Sequence, residues 1–395
     1  MDAESTIRKN GGDNQYILVA TNPTDSDSFL VQEALHRKGV RADLIHFTDF
    51  PSRSTASLHL DSHAGEDRWS LTGQRDLSRP PLPSAIWWRR PESPVIPSDV
   101  HPEDKKFVLQ ETVKFLRGLW HGLPTETVYV NSPTHAIEAD RKPYQLQTAR
   151  QVGFTIPPTL FSNDPAEIRA AVRKWGGRAI YKSFGSVNNF WWDPDKQKIL
   201  ALFTTIVEED SLADNDTLSL TPGIYQPLLS KAFELRVTVF GSTAFGIKIL
   251  SQEQKQSQTD WRNGQRTLQY EPFEVSPDLR QLCVKMLRRL GLLMGCFDFV
   301  VTPQGDVVFL EINESGQFLW VEGVSGVPLL DAFSDFLIRP RAGFRWKASP
   351  EPLRIQHVQA AASEKMAQAA EVHLFPEPLI HIDAASPSMT VPPHE

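Results

Sequence analysis

The stretch from Gly295 to Asn313, GCFDFVVTPQGDVVFLEIN, constrains this chain more than any other. Two apolar runs, Cys296 to Val301 and Val307 to Ile312, flank the turn residues Pro303-Gln304-Gly305-Asp306, the pattern of an antiparallel hairpin. Asp298 lies in the first strand. Glu311 and Asn313 lie two apart on the second, so their side chains share a face, and the short turn brings Asp298 opposite them. Acidic residues inside such apolar strands are costly unless they are paired or bind a cation. Two carboxylates and an amide oxygen on a stiff platform suit magnesium, a hard cation usually shared with substrate phosphates. The alternative is a polar trio satisfied at a sheet edge.

The rest of the chain supplies units around this hairpin. Its 395 residues exceed one ordinary core, and 40% hydrophobic with 23% charged residues is a globular balance. Tyr16 to Thr21, Ala42 to Phe47, Ala85 to Trp88 and Val128 to Val130 read as strands, with a helix from Ser26 to Lys38 between the first two. Strands alternating with helix predict an N-terminal parallel α/β layer over 1–130, with an irregular insertion or hairpin from Pro51 to Arg79. A central unit over 131–230 opens with one helix, Ala136 to Val152. It continues through Ile168 to Trp175 and the strand Ala179 to Lys182. A third unit, 231–340, carries the strands Arg236 to Phe240 and Ala244 to Leu250, the helix Pro277 to Leu290, the hairpin and a closing helix from Leu329 to Leu337. The tail, 341–395, is rich in Ala, Pro and Ser and reads as poorly ordered apart from a short helix near Glu364 to Ala370.

Charge and cysteine content narrow the class. A formal net charge of −7 and no basic stripe argue against a nucleic-acid partner. No apolar run is long enough to span a bilayer, so no membrane role is expected. Cys283 and Cys296 sit in separate apolar segments and read as reduced core residues, which fits a cytoplasmic location.

The spacing of Asp298, Glu311 and Asn313 resembles the metal hairpin of the ATP-grasp superfamily. That resemblance implies an ATP-grasp fold (α/β, α+β) behind an N-terminal pre-ATP-grasp α/β domain, with ATP and Mg2+ as cofactors. It implies that Lys142 and Lys182 reach the nucleotide phosphates, where a transferring phosphoryl group needs fixed positive charge. It also implies that Tyr225, Gln226 and Leu228 form the hinge meeting adenine through backbone groups, and that Glu234 grips ribose. Pro227 departs from the common hinge and has no N–H, so Leu228 becomes the expected amide donor. Arg236, on the face of Glu234, is either an ion-pair partner or a phosphate ligand. Lys248, which ends a strand, and Arg262, after a polar loop, are expected at an acyl phosphate, a role that suits Arg262 because a guanidinium fork grips two oxygens; the alternative is a solvated loop charge for each.

Finer motifs narrow the resemblance. Trp87-Trp88-Arg89-Arg90-Pro91, Glu234-Leu-Arg-Val-Thr-Val with Asp260-Trp261-Arg262, and Phe309-Leu-Glu-Ile-Asn-Glu-Ser-Gly-Gln-Phe-Leu-Trp320 together resemble the graspetide (microviridin-type) ligases, from about Tyr16 to Leu337. The loop Ser183 to Asp193 has fewer glycines than many phosphate-covering loops and carries four aromatics, as a lid or as core filler. The resemblance implies phosphorylation of an Asp or Glu side chain in a ribosomally made precursor peptide, with leader and core. Attack by a Ser, Thr or Lys side chain then closes a macrolactone or macrolactam. Two other readings stay open: an ATP-grasp carboxylate–amine ligase that adds an amino acid, and a non-catalytic ATP-binding protein. Ring topology and oligomeric state are open as well, a homodimer being one option.

Overall fold

A computed structural model describes residues 15–62, 68–72, 82–121, 127–185, 190–193, 198–201 and 203–375. The N-terminal strands form one parallel sheet in the order Arg41–Ile45, Tyr16–Ala20, Ala85–Trp88, Val128–Val130. Every residue of Tyr16–Ala20 is buried, as a central parallel strand covered on both faces must be. Tyr16, Leu18 and Ile86 pack on Leu116, Leu119 and Trp120 of the helix Lys105–His121. Ile17, Val19, Ala85 and Trp87 face the other way, onto the helix Ser26–Arg37 and onto Leu330, Phe333 and Phe336 of the helix Leu329–Ile338. Helices late in the chain thus share a core with the first sheet.

The central sheet is antiparallel, in the order Thr205–Glu208, Arg178–Lys182, Gly223–Pro227, Leu160–Ser162. One helix, Pro165–Lys174, covers it through Ile168 and Val172. Asp164 caps that helix by accepting from Ala166 N at 2.8 Å.

The largest sheet is antiparallel, in the order Tyr270–Phe273, Thr243–Ile249, Phe233–Phe240, Met294–Val301, Val307–Asn313. Its side chains alternate by the period of the strand. Leu235, Val237, Phe297 and Phe309 point to the helices Lys142–Val152 and Pro277–Arg289. Glu234, Arg236 and Asp298 therefore point the other way, and the register shift between Asp298 and Phe299 brings Glu311 to their face although Phe309, two residues before it, faces the helices.

Several sequence expectations are corrected. The single helix over Ala136 to Val152 is two, Pro133–Ala139 and Lys142–Val152. The break places Pro143 in the first turn of the second helix, where a missing N–H costs nothing. The helix Lys105–His121 was not foreseen; it buries only Leu116, Leu119 and Trp120, too few for a clear period. The short helix Leu319–Ser325 was also missed. The insertion contains a hairpin, Thr55–His59 with Arg68–Thr72.

The tail differs most. Ile355–Val372 is an eighteen-residue helix. Its alanines are strong helix formers and let it lie close on Ser26–Arg37, burying Val358 and Ala362. Ile355 N donates to Glu322 Oε1 at 2.9 Å, and His373 Nδ1 lies 2.7 Å from Asp49 Oδ2. Residues 376–395, part of the same expectation, lie outside the described residues. Among the described residues no helix is long and apolar enough to cross a membrane.

Candidate active site

Register fixes the centre of the site. Arg236 pairs with Asp298, and Asp298 with Glu311, so all three share one face of the sheet. An irregularity between Asp298 and Phe299 shifts the ladder there, with Phe299 opposite Phe309. The edge strand Val307–Asn313 is closed by a side chain: Gln145 Nε2 donates to Ile312 O at 2.8 Å and its Oε1 accepts from Ile312 N at 3.2 Å. Asn131 holds the ends of both hairpin strands. Its Oδ1 accepts from Leu293 N and Met294 N at 2.8 and 3.1 Å, and its Nδ2 donates to Glu314 O at 2.8 Å. The platform is rigid because its edge and its ends are both satisfied.

Cations converge on these carboxylates. Arg236 Nη1 lies 2.9 and 3.1 Å from the two Asp298 oxygens, and its Nη2 donates to Gln317 O at 2.9 Å. Asn313 Nδ2 donates to Asp298 Oδ2 at 3.0 Å, which leaves the amide oxygen as the group a cation would take. Lys142 Nζ sits 3.0 Å from Glu311 Oε2 and 3.5 Å from Asp140 Oδ1. Burial pushes Glu311 up, but Lys142 and Lys182 outweigh it and hold the carboxyl at about 2. Burial pushes Asp298 up, reinforced by the charge of Glu311 and opposed by Arg236. Burial pushes Lys182 down against the attraction of Glu311 and Asp260. Lys142 thus pairs directly with Glu311, and Lys182 feels the same carboxylate through its charge.

A second cluster borders the first. Arg262 lies against Asp260, Nε to Oδ1 at 2.8 Å and Nη2 to Oδ2 at 2.5 Å. Burial pushes Asp260 up, yet Arg262 holds it at about 2. Lys231 Nζ bonds Glu234 Oε1 and Thr259 O, both at 2.9 Å. Sequence reasoning missed Lys231; its spacing three residues before Glu234 was the available signal.

The remaining expected residues divide. Tyr225 is buried and meets the Tyr181 ring at 5.5 Å, so its side chain belongs to the small central core. The ladder with Leu160–Ser162 ends at Tyr225, which frees one backbone edge from Gln226 onward. Gln226 Nε2 donates to Thr159 Oγ1 at 2.9 Å, while its buried Oε1 has no partner among the described residues. Leu228 follows the strand and is exposed. Lys248 does not join. It pairs across the ladder with Leu235, which puts it on the sheet face away from Arg236, 3.5 Å from Glu271 and over the Phe233 ring. The expectation for Lys248 is therefore corrected. Part of the loop Ser183 to Asp193, residues 186–189, lies outside the described residues.

Two motifs far apart in sequence meet beside this site. Arg89 is 1% exposed and bonds Asp25 Oδ2 at 3.0 Å, Asp27 Oδ2 at 3.1 Å, and the carbonyls of Ser315 and Gly316. The Trp-Trp-Arg-Arg segment thereby fastens the loop that follows Asn313. A cavity of about 830 Å³ lies at this junction, lined among others by Trp88, Arg90, Glu92, Trp120, Asn313 and Glu314.

No family model and no curated protein sequence matches the chain. Solved structures do. The macrocyclase MdnC from Microcystis aeruginosa MRC, bound with precursor peptide MdnA, is 26% identical at a TM-score of 0.71, covering 82% of this chain and 99% of its own. A Chryseobacterium gregarium RiPP-associated ATP-grasp ligase, in complex with ADP and a leader and core peptide, is 23% identical at 0.73, covering 84% and 100%. The ATP-grasp ligase PsnB, complexed with a phosphomimetic variant of minimal precursor, Mg and ADP, is 22% identical at 0.64, covering 83% and 99%.

Proposed function

We infer that this chain, which has the ATP-grasp fold of the RiPP-associated ligases, is an ADP-forming ligase that activates side-chain carboxylates of a ribosomal precursor peptide and closes rings through them. One observation carries the reading: Lys142 pairs with Glu311 and Arg236 grips Asp298, two carboxylates in register on one sheet face beside a cavity that reaches Asn313. The donor set fits Mg2+ with a nucleotide. Two carboxylates face each other in register, an amide oxygen stands beside them, and the buried Arg236 Nε has no hydrogen-bond partner among the described residues.

When bound, Mg2+ and ATP supply the phosphoryl group and neutralise much of its charge. Asp298, Glu311 and Asn313 would hold the cation. Lys142 and Lys182 would hold phosphate oxygens, and Glu234 the ribose. The free backbone edge from Gln226 to Leu228 would take the purine, with Gln226 Oε1 as a further acceptor. Arg236 and Arg262 would grip the acyl phosphate through fixed forks already aimed by Asp298 and Asp260. Positioning then does most of the remaining work, because the phosphorylated carboxylate carries its own leaving group.

Enzyme, ATP, Mg2+ and a ribosomal precursor peptide carrying acidic and hydroxyl or lysine side chains should give a peptide lighter by one water per ring, with one ATP converted to ADP. Glu311→Ala should cut turnover by about three orders of magnitude or more while the protein stays folded. A heavier peptide would point to addition of an amino acid, and AMP as product would remove the acyl-phosphate mechanism.

A further inference from the structure

We propose that Arg90 anchors a side-chain carboxylate of the peptide substrate in the cavity beside the hairpin, and so selects acidic peptides. The proposal rests on the reading above and deepens it, by naming the chemistry that the peptide must bring.

Adjacent residues Arg89 and Arg90 are used differently. Arg89 spends its donors on Asp25, Asp27 and two backbone carbonyls. Arg90 spends only Nε, on Ser315 O at 3.3 Å, and among the described residues no carboxylate forms an ion pair with it. Its guanidinium is half-buried and lines the cavity of about 830 Å³. Burial pushes the group down, with Arg89 adding repulsion. The charges that compensate it are Asp25, Asp27 and Glu314, and the first two already pair with Arg89. A planar fork left with two free NH2 groups in a partly desolvated cavity matches the geometry of a carboxylate.

The cavity's own acids do not answer this need. Glu92 and Glu314 line the same space, and among the described residues neither forms an ion pair with Arg90. The far wall is aromatic, with Phe47 stacked on Trp120 at 5.2 Å and Trp88 edge-on to Trp120 at 5.7 Å. The space thus offers the unpaired Arg90 fork, with the exposed Arg117 also on its lining, an apolar wall and, at Asn313, the end of the candidate metal hairpin. An acidic residue with an apolar neighbour satisfies all three, and it would place a peptide in the same cavity as the reacting centre.

The test uses three probes, Ac-Phe-Glu-NH2, Ac-Phe-Gln-NH2 and Ac-Phe-Lys-NH2, titrated by ligand-observed NMR with and without Mg·ADP. Wild type should bind the Glu probe about ten-fold or more tightly than the Gln probe. Arg90→Gln should bring the two within about two-fold, Arg90→Lys should keep part of the preference, and Arg90→Glu should favour the Lys probe. The reversal keeps the test decisive even if one variant folds poorly. Equal binding of Glu and Gln probes by wild type, or an unchanged preference in Arg90→Gln, would overturn the proposal. So would inorganic phosphate that displaces the Glu probe and itself depends on Arg90 more strongly than the probe does. Failure of wild type to bind Mg·ADP at all would instead sink the ligase reading, because the Glu-over-Gln preference is read separately without nucleotide.

Discussion

Arg89 and Arg236 hold the same short loop, Ser315 to Gln317, from two different sheets, and both are almost fully buried. Arg89 is saturated by two carboxylates and two carbonyls, and nothing is left for a ligand. Arg236 is not: its Nε lacks a partner among the described residues, and its guanidinium lies 5.8 Å from the Trp320 ring centroid beside the carboxylate pair. The difference separates an arginine whose donors are all used from one that the proposed site would draw on. A buried cation whose donors are all used holds the fold, whereas one left short at a cleft holds a place for an anion.

Removing each should therefore fail in a different way. Arg89→Ala strands Asp25 and Asp27 in the interior next to each other, and should cost about 3–5 kcal/mol of stability, read from the shift in urea midpoint. Burial already pushes Asp27 toward protonation, so part of that cost is relieved at acid pH. If Arg89→Ala unfolds with the wild-type midpoint, the saturated network is not structural and the comparison breaks.

Arg236→Ala should lose about 10²–10³ in ligation rate, the loss expected for removing one fixed donor at a developing charge, with a smaller stability loss than Arg89→Ala. Asp298, left without its arginine, is already biased by burial toward the neutral form and can take a proton instead of staying charged. A variant that keeps its ADP production with precursor but melts early would assign Arg236 to the fold.

Asp260 sharpens the same contrast by pH. Its folded carboxyl sits at about 2, against 3.8 for the unperturbed group. A depressed folded pKa gives stability that is present above 3.8 and is lost as pH falls toward about 2. The contribution is on the order of 2 kcal/mol at neutral pH. Asp260→Asn should flatten that part of the acid limb of a thermal-midpoint profile; an unaltered limb between pH 4 and 2 would show that Arg262 is not held this way.

The sequence was most legible where polar residues interrupt an apolar period. Asp298, Glu311 and Asn313 stand out in the hairpin for that reason, and the structure puts Asp298 and Glu311 in register. Arg89 was quoted as part of a motif, but its partners lie 62 to 227 residues away in the chain, so no local pattern could announce the network. The helix Ile355–Val372 was obscured by composition: alanine reads as low complexity, yet a small side chain is what lets one helix settle against another. Lys248 was a readable error. Phe240 pairs with Thr243 across the turn, and counting back from that pair puts Lys248 opposite Leu235, an inward-facing core residue.

Lys248 therefore supplies the smallest expected effect. It is expected at the acyl phosphate as a residue that ends a strand, but the ladder puts it on the face opposite to Arg236. Its ammonium meets Glu271 at 3.5 Å, and the two side chains are 32% and 54% exposed. An exposed pair of this kind contributes roughly 0–1 kcal/mol and is screened by salt. Its position over the Phe233 ring adds a contact of the same small size. Lys248→Ala should leave the ligation rate within about two-fold of wild type, under conditions where Arg262→Ala loses the about 10² or more expected of a residue aimed at the phosphoryl oxygens. Steady-state ADP release with precursor, measured for both variants in one buffer, decides the matter. A tenfold or larger fall in Lys248→Ala would mean that the helix-covered face of the sheet also touches the substrate, and the division between structural and site cations would have to be redrawn.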